Sequence, residues 1–147
     1  MTLPPLPTTA IDLKASADDW RAAVRLSGQA LVRSGAALPA YEDEMVRMIE
    51  EHGPYVVIAP GLALAHARPG PAVVTDGIAV VTLTEPVAFG HPHNDPVSVV
   101  LGLAIARGGD HLGAVASIAN VFNDSGAIEA LASATSTDDV QRIMGAA

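Results

Sequence analysis

The amino-acid sequence predicts a single α/β domain: a mixed β-sheet of about four or five strands, flanked by helices on both faces. Three observations lead there. Apolar residues first recur at helical spacing, then give way to β-branched runs punctuated by Gly and Pro, and finally return to the helical period. The chain has 147 residues, half of them apolar (50%), enough to bury one sizeable core. No internal repeat, linker or low-complexity segment divides it, so residues 11–147 read as one domain.

The first ten residues, MTLPPLPTTA, hold three prolines and no periodic pattern, and are expected to form a flexible lead-in. A helix follows. Ser16 is placed to cap it, with Asp19 three residues on, and Trp20, Val24 and Leu31 recur along one face until Gly35. Pro39 suits the first turn of a second helix, in which Tyr41, Met45 and Ile49 share a face and which Gly53-Pro54 ends. From Tyr55 the period changes. Tyr55–Ala59, Leu62–Ala65, Gly77–Leu83 and Val97–Ala106 read as strands, the last apolar on both faces apart from Ser98, as a covered central strand would be. After Gly108-Gly109, Asp110 is placed to cap a helix with Leu112, Val115, Ala119 and Phe122 on one stripe. A short helix at Ala127–Ala132 and another at Asp138–Met144, capped by Thr137, close the order ααββββααα.

Composition excludes several functions. The formal charge is −8, from 16 acidic and 8 basic residues, and Lys14 is the sole lysine. Phosphate backbones are bound by clustered basic residues, so nucleic acid is not an expected partner, nor is an anionic membrane surface. There is no cysteine, which removes disulfides, thiolate catalysis and Cys-based metal sites. No apolar run approaches a bilayer span, and the Pro-rich start has neither the basic nor the apolar region of a signal peptide. The chain is therefore expected to be soluble and cytoplasmic, without direct membrane insertion.

Reactive candidates are then the five histidines and their neighbours. His52 falls in the last turn of the second helix, where an imidazolium complements the helix dipole. His91 and His93 form an H-x-H pair in Gly90-His91-Pro92-His93-Asn94-Asp95-Pro96; two such nitrogens can bind a metal, but Pro92 breaks strand geometry and a third ligand is needed, so a structured loop is the competing reading. His66 ends a predicted strand, with Arg68 two residues on and Pro69-Gly70 beyond. Imidazole is a usable nucleophile near neutral pH and a guanidinium holds phosphate oxygens in a fork, so this pair suits an anion; a solvated strand-end histidine is the alternative. His111 follows Asp110 at a helix start, where free backbone N–H groups favour anions. The two histidines could share a phosphoryl group.

The run Tyr55-Val56-Val57-Ile58-Ala59-Pro60-Gly61-Leu62-Ala63-Leu64-Ala65-His66-Ala67-Arg68-Pro69 resembles the phosphohistidine motif of the mannitol/fructose class of enzyme IIA (EIIA type 2) of the bacterial phosphotransferase system, the PTS. Within that class it is most similar to the ascorbate-specific members. Phe89-Gly90-His91-Pro92-His93-Asn94-Asp95-Pro96-Val97 and Asp110-His111-Leu112 fall where the family has F-G-x-x-x-N-D-P-V and a helix-opening H-L, and the likeness runs from about Ile11 to Met144. The resemblance implies that His66 is the phosphoacceptor and His111 its stabiliser. Two positions depart from the pattern: Ala65 stands where proline is usual, and Met48, beside Arg47, stands where mannitol-type proteins carry a site arginine.

It further implies a cytoplasmic phosphohistidine carrier. Such a protein takes a phosphoryl group from the carrier HPr and passes it to a cysteine-phosphorylated enzyme IIB, which works with a membrane IIC component in uptake of a sugar or a sugar acid such as ascorbate. Arg68 would bind the phosphate. No cofactor or metal is required, because the group moves between protein nucleophiles, and a homodimer is compatible with this reading. Two rivals are weighed against it: a regulatory EIIA-like protein whose phosphorylation controls partner binding, and a metal hydrolase using His91 and His93.

Overall fold

The structure, a computed structural model, describes residues 3–124 and 126–145. Its elements are β1 (Ile11–Ala15), α1 (Trp20–Arg33), α2 (Ala40–His52), β2 (Val57–Ala59), β3 (Leu62–His66), β4 (Gly77–Val87), β5 (Val97–Ala104), α3 (His111–Val121), α4 (Ala127–Ala132) and α5 (Thr137–Met144). The strands form one mixed sheet in the order β1-β4-β5-β3-β2. β1 runs parallel to β4 and β3 parallel to β5, whereas β4 with β5 and β2 with β3 are antiparallel.

β5 is buried at almost every position, with only Ser98 partly exposed, which requires cover on both faces of the sheet. On one face α1 comes down on Gly102, where a Cβ would stand 3.1 Å from Ser27 Cβ and 3.2 Å from the Ser27 carbonyl. Glycine permits that approach, whereas any side chain there would press on α1. α4 packs on β4 and β5, and α5 on β1 and α4. The core joins the two sets through Leu31, Tyr41, Met45, Ile78, Leu101, Leu103 and Leu131.

Several expectations need correcting. Ile11–Ala15 is an edge strand rather than the approach to a helix; Lys14 adopts a φ of 52° there and the register with β4 shifts between Asp12 and Ala15. The α1 cap is Asp19, whose carboxylate accepts from the Ala22 N–H at 2.9 Å, so the helix begins at Trp20 and Ser16 lies outside it. Ser136, not Thr137, caps α5. The lead-in is held down at its end, because Leu6 and Ala10 are buried, Thr8–Ala10 make a 3-10 turn, and Gln141 Nε2 donates to the Leu6 carbonyl at 2.9 Å. Asp110 caps α3 as the sequence predicts, accepting from the Gly113 N–H at 2.8 Å. α3 buries Gly113, Ala114, Ser117 and Ile118; of the expected stripe, Val115 and Phe122 are partly buried against the core, whereas Ala119 is exposed and Leu112 is 81% exposed.

Candidate functional site

The site lies where β3 ends. β3 and β5 run side by side through the pair His66↔Leu103, after which the chain leaves the sheet through Ala67 and Arg68. His66 is half-buried, and its Nδ1 lies 3.0 Å from the Leu64 carbonyl oxygen. A carbonyl can only accept, so Nδ1 must carry the hydrogen, and in the neutral ring the lone pair belongs to Nε2. Burial pushes the His66 pKa below the ordinary 6.5; the Leu64 bond opposes that shift and the nearby His111 adds to it. The ring is therefore neutral at physiological pH, with a free nitrogen.

His111, the first residue of α3, brings its ring to 6.1 Å from that of His66, centroid to centroid. Helix geometry explains its place: Asp110 engages the Gly113 N–H, which leaves His111 exposed at the positive end of the α3 dipole. Tyr55 also adjoins His66, its ring edge-on to His66 at 6.0 Å and to His52 at 6.2 Å. Partial burial raises the Tyr55 pKa, and the positive charge of Arg68 opposes this, so the guanidinium is within electrostatic reach of the phenol.

Arg68 also lines an open cleft of about 320 Å³ with Ala67 and with Glu44, Arg47, Met48, Glu51 and His52 of α2. Arg47 was not a candidate from sequence, although residues 44, 47, 48 and 51 recur at helical spacing and so share one face of α2. Tyr41, near the start of α2, is fully buried, and its hydroxyl binds both Ala67, which lines the cleft, and Leu103. Sequence reasoning had placed Tyr41 only in a core stripe.

His91 and His93 lie elsewhere. Their loop joins β4 to β5 at the opposite end of the sheet, since β5 begins there at Val97 and reaches the His66 level only at Leu103. His91 Nδ1 accepts from the backbone N–H groups of His93 (3.1 Å) and Asn94 (3.0 Å). The Asp95 carboxylate accepts from Phe89, Gly90 and His91 N–H groups, and the Asn94 carbonyl accepts from Gly61 N–H. The N-D-P segment thus builds a loop. Among the described residues no group of three or more His, Asp or Glu side chains is placed to hold a metal ion. Leu62, Leu64 and Phe89 are all buried, so none of them offers an apolar surface beside His66, and the Phe89 loop is at the far end of the sheet. Tyr55 and Leu112 are the exposed apolar groups beside the site.

A family model described as "Phosphoenolpyruvate-dependent sugar phosphotransferase system, EIIA 2" matches residues 5–146. The chain belongs to that family. It is 38% identical over 115 residues to the ascorbate-specific PTS system EIIA component of Shigella boydii serotype 4 (strain Sb227), covering 78% of this chain and 75% of that protein. The crystal structure of IIA mannitol from Escherichia coli superposes with a TM-score of 0.81 at 26% identity, over 94% of this chain and 97% of that one. The complex of enzyme IIAMTL with phosphorylated enzyme IIBMTL from Escherichia coli shares the fold, with a TM-score of 0.83 at 24% identity over 96% and 97% of the two chains. EIIA components are phosphotransferases acting as phosphoryl carriers in sugar uptake, and the α/β fold with its five-strand mixed sheet is theirs.

Proposed function

We propose that the chain carries a phosphoryl group on Nε2 of His66, taking it from the histidine of HPr and passing it to an enzyme IIB. One observation carries the reading. The Leu64 carbonyl fixes the hydrogen on Nδ1 and so leaves the lone pair of the neutral ring on Nε2, in a ring that lies beside a second imidazole at a helix start. In the first step the Nε2 lone pair forms a bond to phosphorus, while the donor's N–P bond breaks and its electron pair returns to the donor ring. The second step repeats this with the IIB nucleophile attacking and His66 leaving. Such transfers need positioning and charge stabilisation more than covalent help. Arg68 supplies positive charge and His111 a ring N–H donor to the phosphoryl oxygens, aided by the N–H groups that open α3.

The substrate class is a sugar or sugar acid, and the ascorbate-specific relatives favour ascorbate. The complex of a related IIA with phosphorylated IIB supports a IIB partner; a membrane IIC component working with that IIB is part of the same proposal. No helix among the described residues is long and apolar enough to cross a membrane. The deciding experiment incubates the protein with phosphoenolpyruvate and the general phosphotransferase proteins. One acid-labile phosphate per chain, absent from His66→Ala and passed on to a IIB protein, is the expected result. Phosphorylation that alters partner binding without onward transfer would instead support a regulatory role.

A further inference from the structure

We infer that Tyr41 is a positioning residue for phosphoryl transfer: its buried hydroxyl forms an added rung between Ala67 and Leu103, and so fixes the direction in which His66 and Arg68 leave the sheet. This rests on the reading of His66 as the acceptor. The hydroxyl oxygen accepts from the Ala67 N–H at 2.9 Å and donates to the Leu103 carbonyl at 2.7 Å, the nearer of two carbonyls, with the Ala67 oxygen at 3.3 Å. Ala67 is the first residue past β3, and Leu103 is the partner of His66 in the β3–β5 register.

The geometry has a structural consequence. Two parallel strands that diverge leave a buried donor on one and a buried acceptor on the other, each costly if unpaired. A phenol between them satisfies both while holding the strands farther apart than a direct backbone bond would. Ala67 is thereby turned out of the sheet at a set distance, with His66 on one side and Arg68 on the other. Tyr41 itself is well placed to hold still: it is fully buried on α2, between Leu38 N–H···Ala72 O pairing at one end of the helix and the cleft at the other. Burial also drives its pKa up to about 12, so it remains a neutral donor throughout the physiological range. The clamp does not titrate, although the histidine it positions does.

Tyr41→Phe keeps the ring and removes the rung. His66 should then lose part of the burial that depresses its pKa, and its titration midpoint, followed by NMR of the unphosphorylated protein, should move up toward the ordinary value. The rings beside His66, Tyr55 and His111, are unchanged in the variant. Misplacement of the reacting group by about 1 Å can cost on the order of 100-fold, so kcat for phosphate uptake from HPr should fall by about 10- to 100-fold with little change in KM for HPr. Val140→Ala, in the α5 core, serves as a control for lost stability and should move neither readout.

An unmoved His66 titration in Tyr41→Phe overturns the inference, whether or not the rate falls, because Tyr41 would then act elsewhere. So does a moved titration with an unchanged rate. Should Tyr41→Phe fail to fold, amide hydrogen exchange on the wild-type protein decides: Ala67 is expected to be protected like the β3 ladder, and exchange as fast as at Gly70 overturns the clamp. If the wild-type protein takes no phosphate on His66, the proposed function fails, while the titration and exchange measurements still test the clamp.

Discussion

His66 and His91 stand at opposite ends of one sheet and are held by the same ring nitrogen in opposite senses. At His66, Nδ1 faces a carbonyl, so it donates and Nε2 is left with the lone pair. At His91, Nδ1 accepts from two backbone N–H groups, so its lone pair is spent on the loop and the hydrogen of the neutral ring sits on Nε2. Under the proposed function one ring is prepared to attack phosphorus, whereas the other shapes a turn. What separates them is the partner of a single nitrogen, and neither partner is adjacent in a way that composition reveals.

The sharpest break of this contrast is His66→Ala. Phosphate incorporation should vanish while the circular dichroism spectrum and unfolding cooperativity stay those of the wild type, because the side chain is at a strand end and only half-buried. Labelling of that variant at the wild-type rate would move the acceptor elsewhere. His111→Ala comes next. Loss of one preorganised donor to a developing anion costs about 10²–10³-fold. That loss should fall on transfer out to IIB, with uptake from HPr slowed far less. Single-turnover measurement of each half-reaction separates the two, and equal loss in both would mean a damaged fold or a direct role as acceptor.

Arg68→Glu should weaken both half-reactions. A charge-assisted hydrogen bond contributes about 1.5–3 kcal/mol, which corresponds to roughly 10- to 100-fold in each rate. Because Arg68 is exposed and lines the cleft with Arg47, the remaining guanidinium should soften the loss, and added salt should narrow the gap between variant and wild type. Unaltered kinetics in Arg68→Glu would remove it from the mechanism.

Acidity provides a milder test. His66 in the folded chain has a pKa below the ordinary 6.5, chiefly through burial, so it binds a proton less readily than in the unfolded chain. Uptake of phosphate should therefore persist as pH falls through 6.5 and decline only beneath it. The stability linked to the neutral ring is present above 6.5 and is lost as pH falls from there through the folded-state pKa. Denaturation midpoints measured across that window should fall less steeply in His66→Ala than in the wild type, and parallel slopes would contradict the shift.

Much of the site was legible because its chemistry is local in sequence. His66, Arg68 and the Asp110 cap beside His111 lie within short motifs, and helix and strand periodicity placed each at an element end. What escaped depends on tertiary neighbours. Tyr41 is separated by 26 residues from Ala67 and by 62 from Leu103, so nothing in its helical stripe distinguished a hydroxyl with work to do from a core ring. Arg47 reaches the cleft from another element. β1 was hidden because a short edge strand with an irregular register carries little periodic signal, though Ile11-Asp12-Leu13 does alternate. The α3 stripe was misplaced because Leu112 was assumed to be core; an apolar residue at a helix start has no such obligation. The His91 and His93 pair, weighed as metal ligands against a structured loop, proves to be part of such a loop, whose polar groups are consumed in closing it.

The smallest expected effect on transfer completes the comparison. In His91→Ala the N–H groups of His93 and Asn94 lose their shared acceptor, but both are near the surface and water can replace it, so the cost to stability should be about 1 kcal/mol. The Asp95 carboxylate still gathers the Phe89 and Gly90 N–H groups, which keeps the loop closed and Asn94 near Gly61. Phosphate uptake and onward transfer should stay within about twofold of wild type, because the loop is at the far end of the sheet from His66 and a rate change of that size is only a few tenths of a kcal/mol. A transfer rate reduced as strongly as in His111→Ala would show that the two ends of the sheet are coupled, either through β5 or through a partner that spans both, and the division of labour between the two histidines would have to be redrawn.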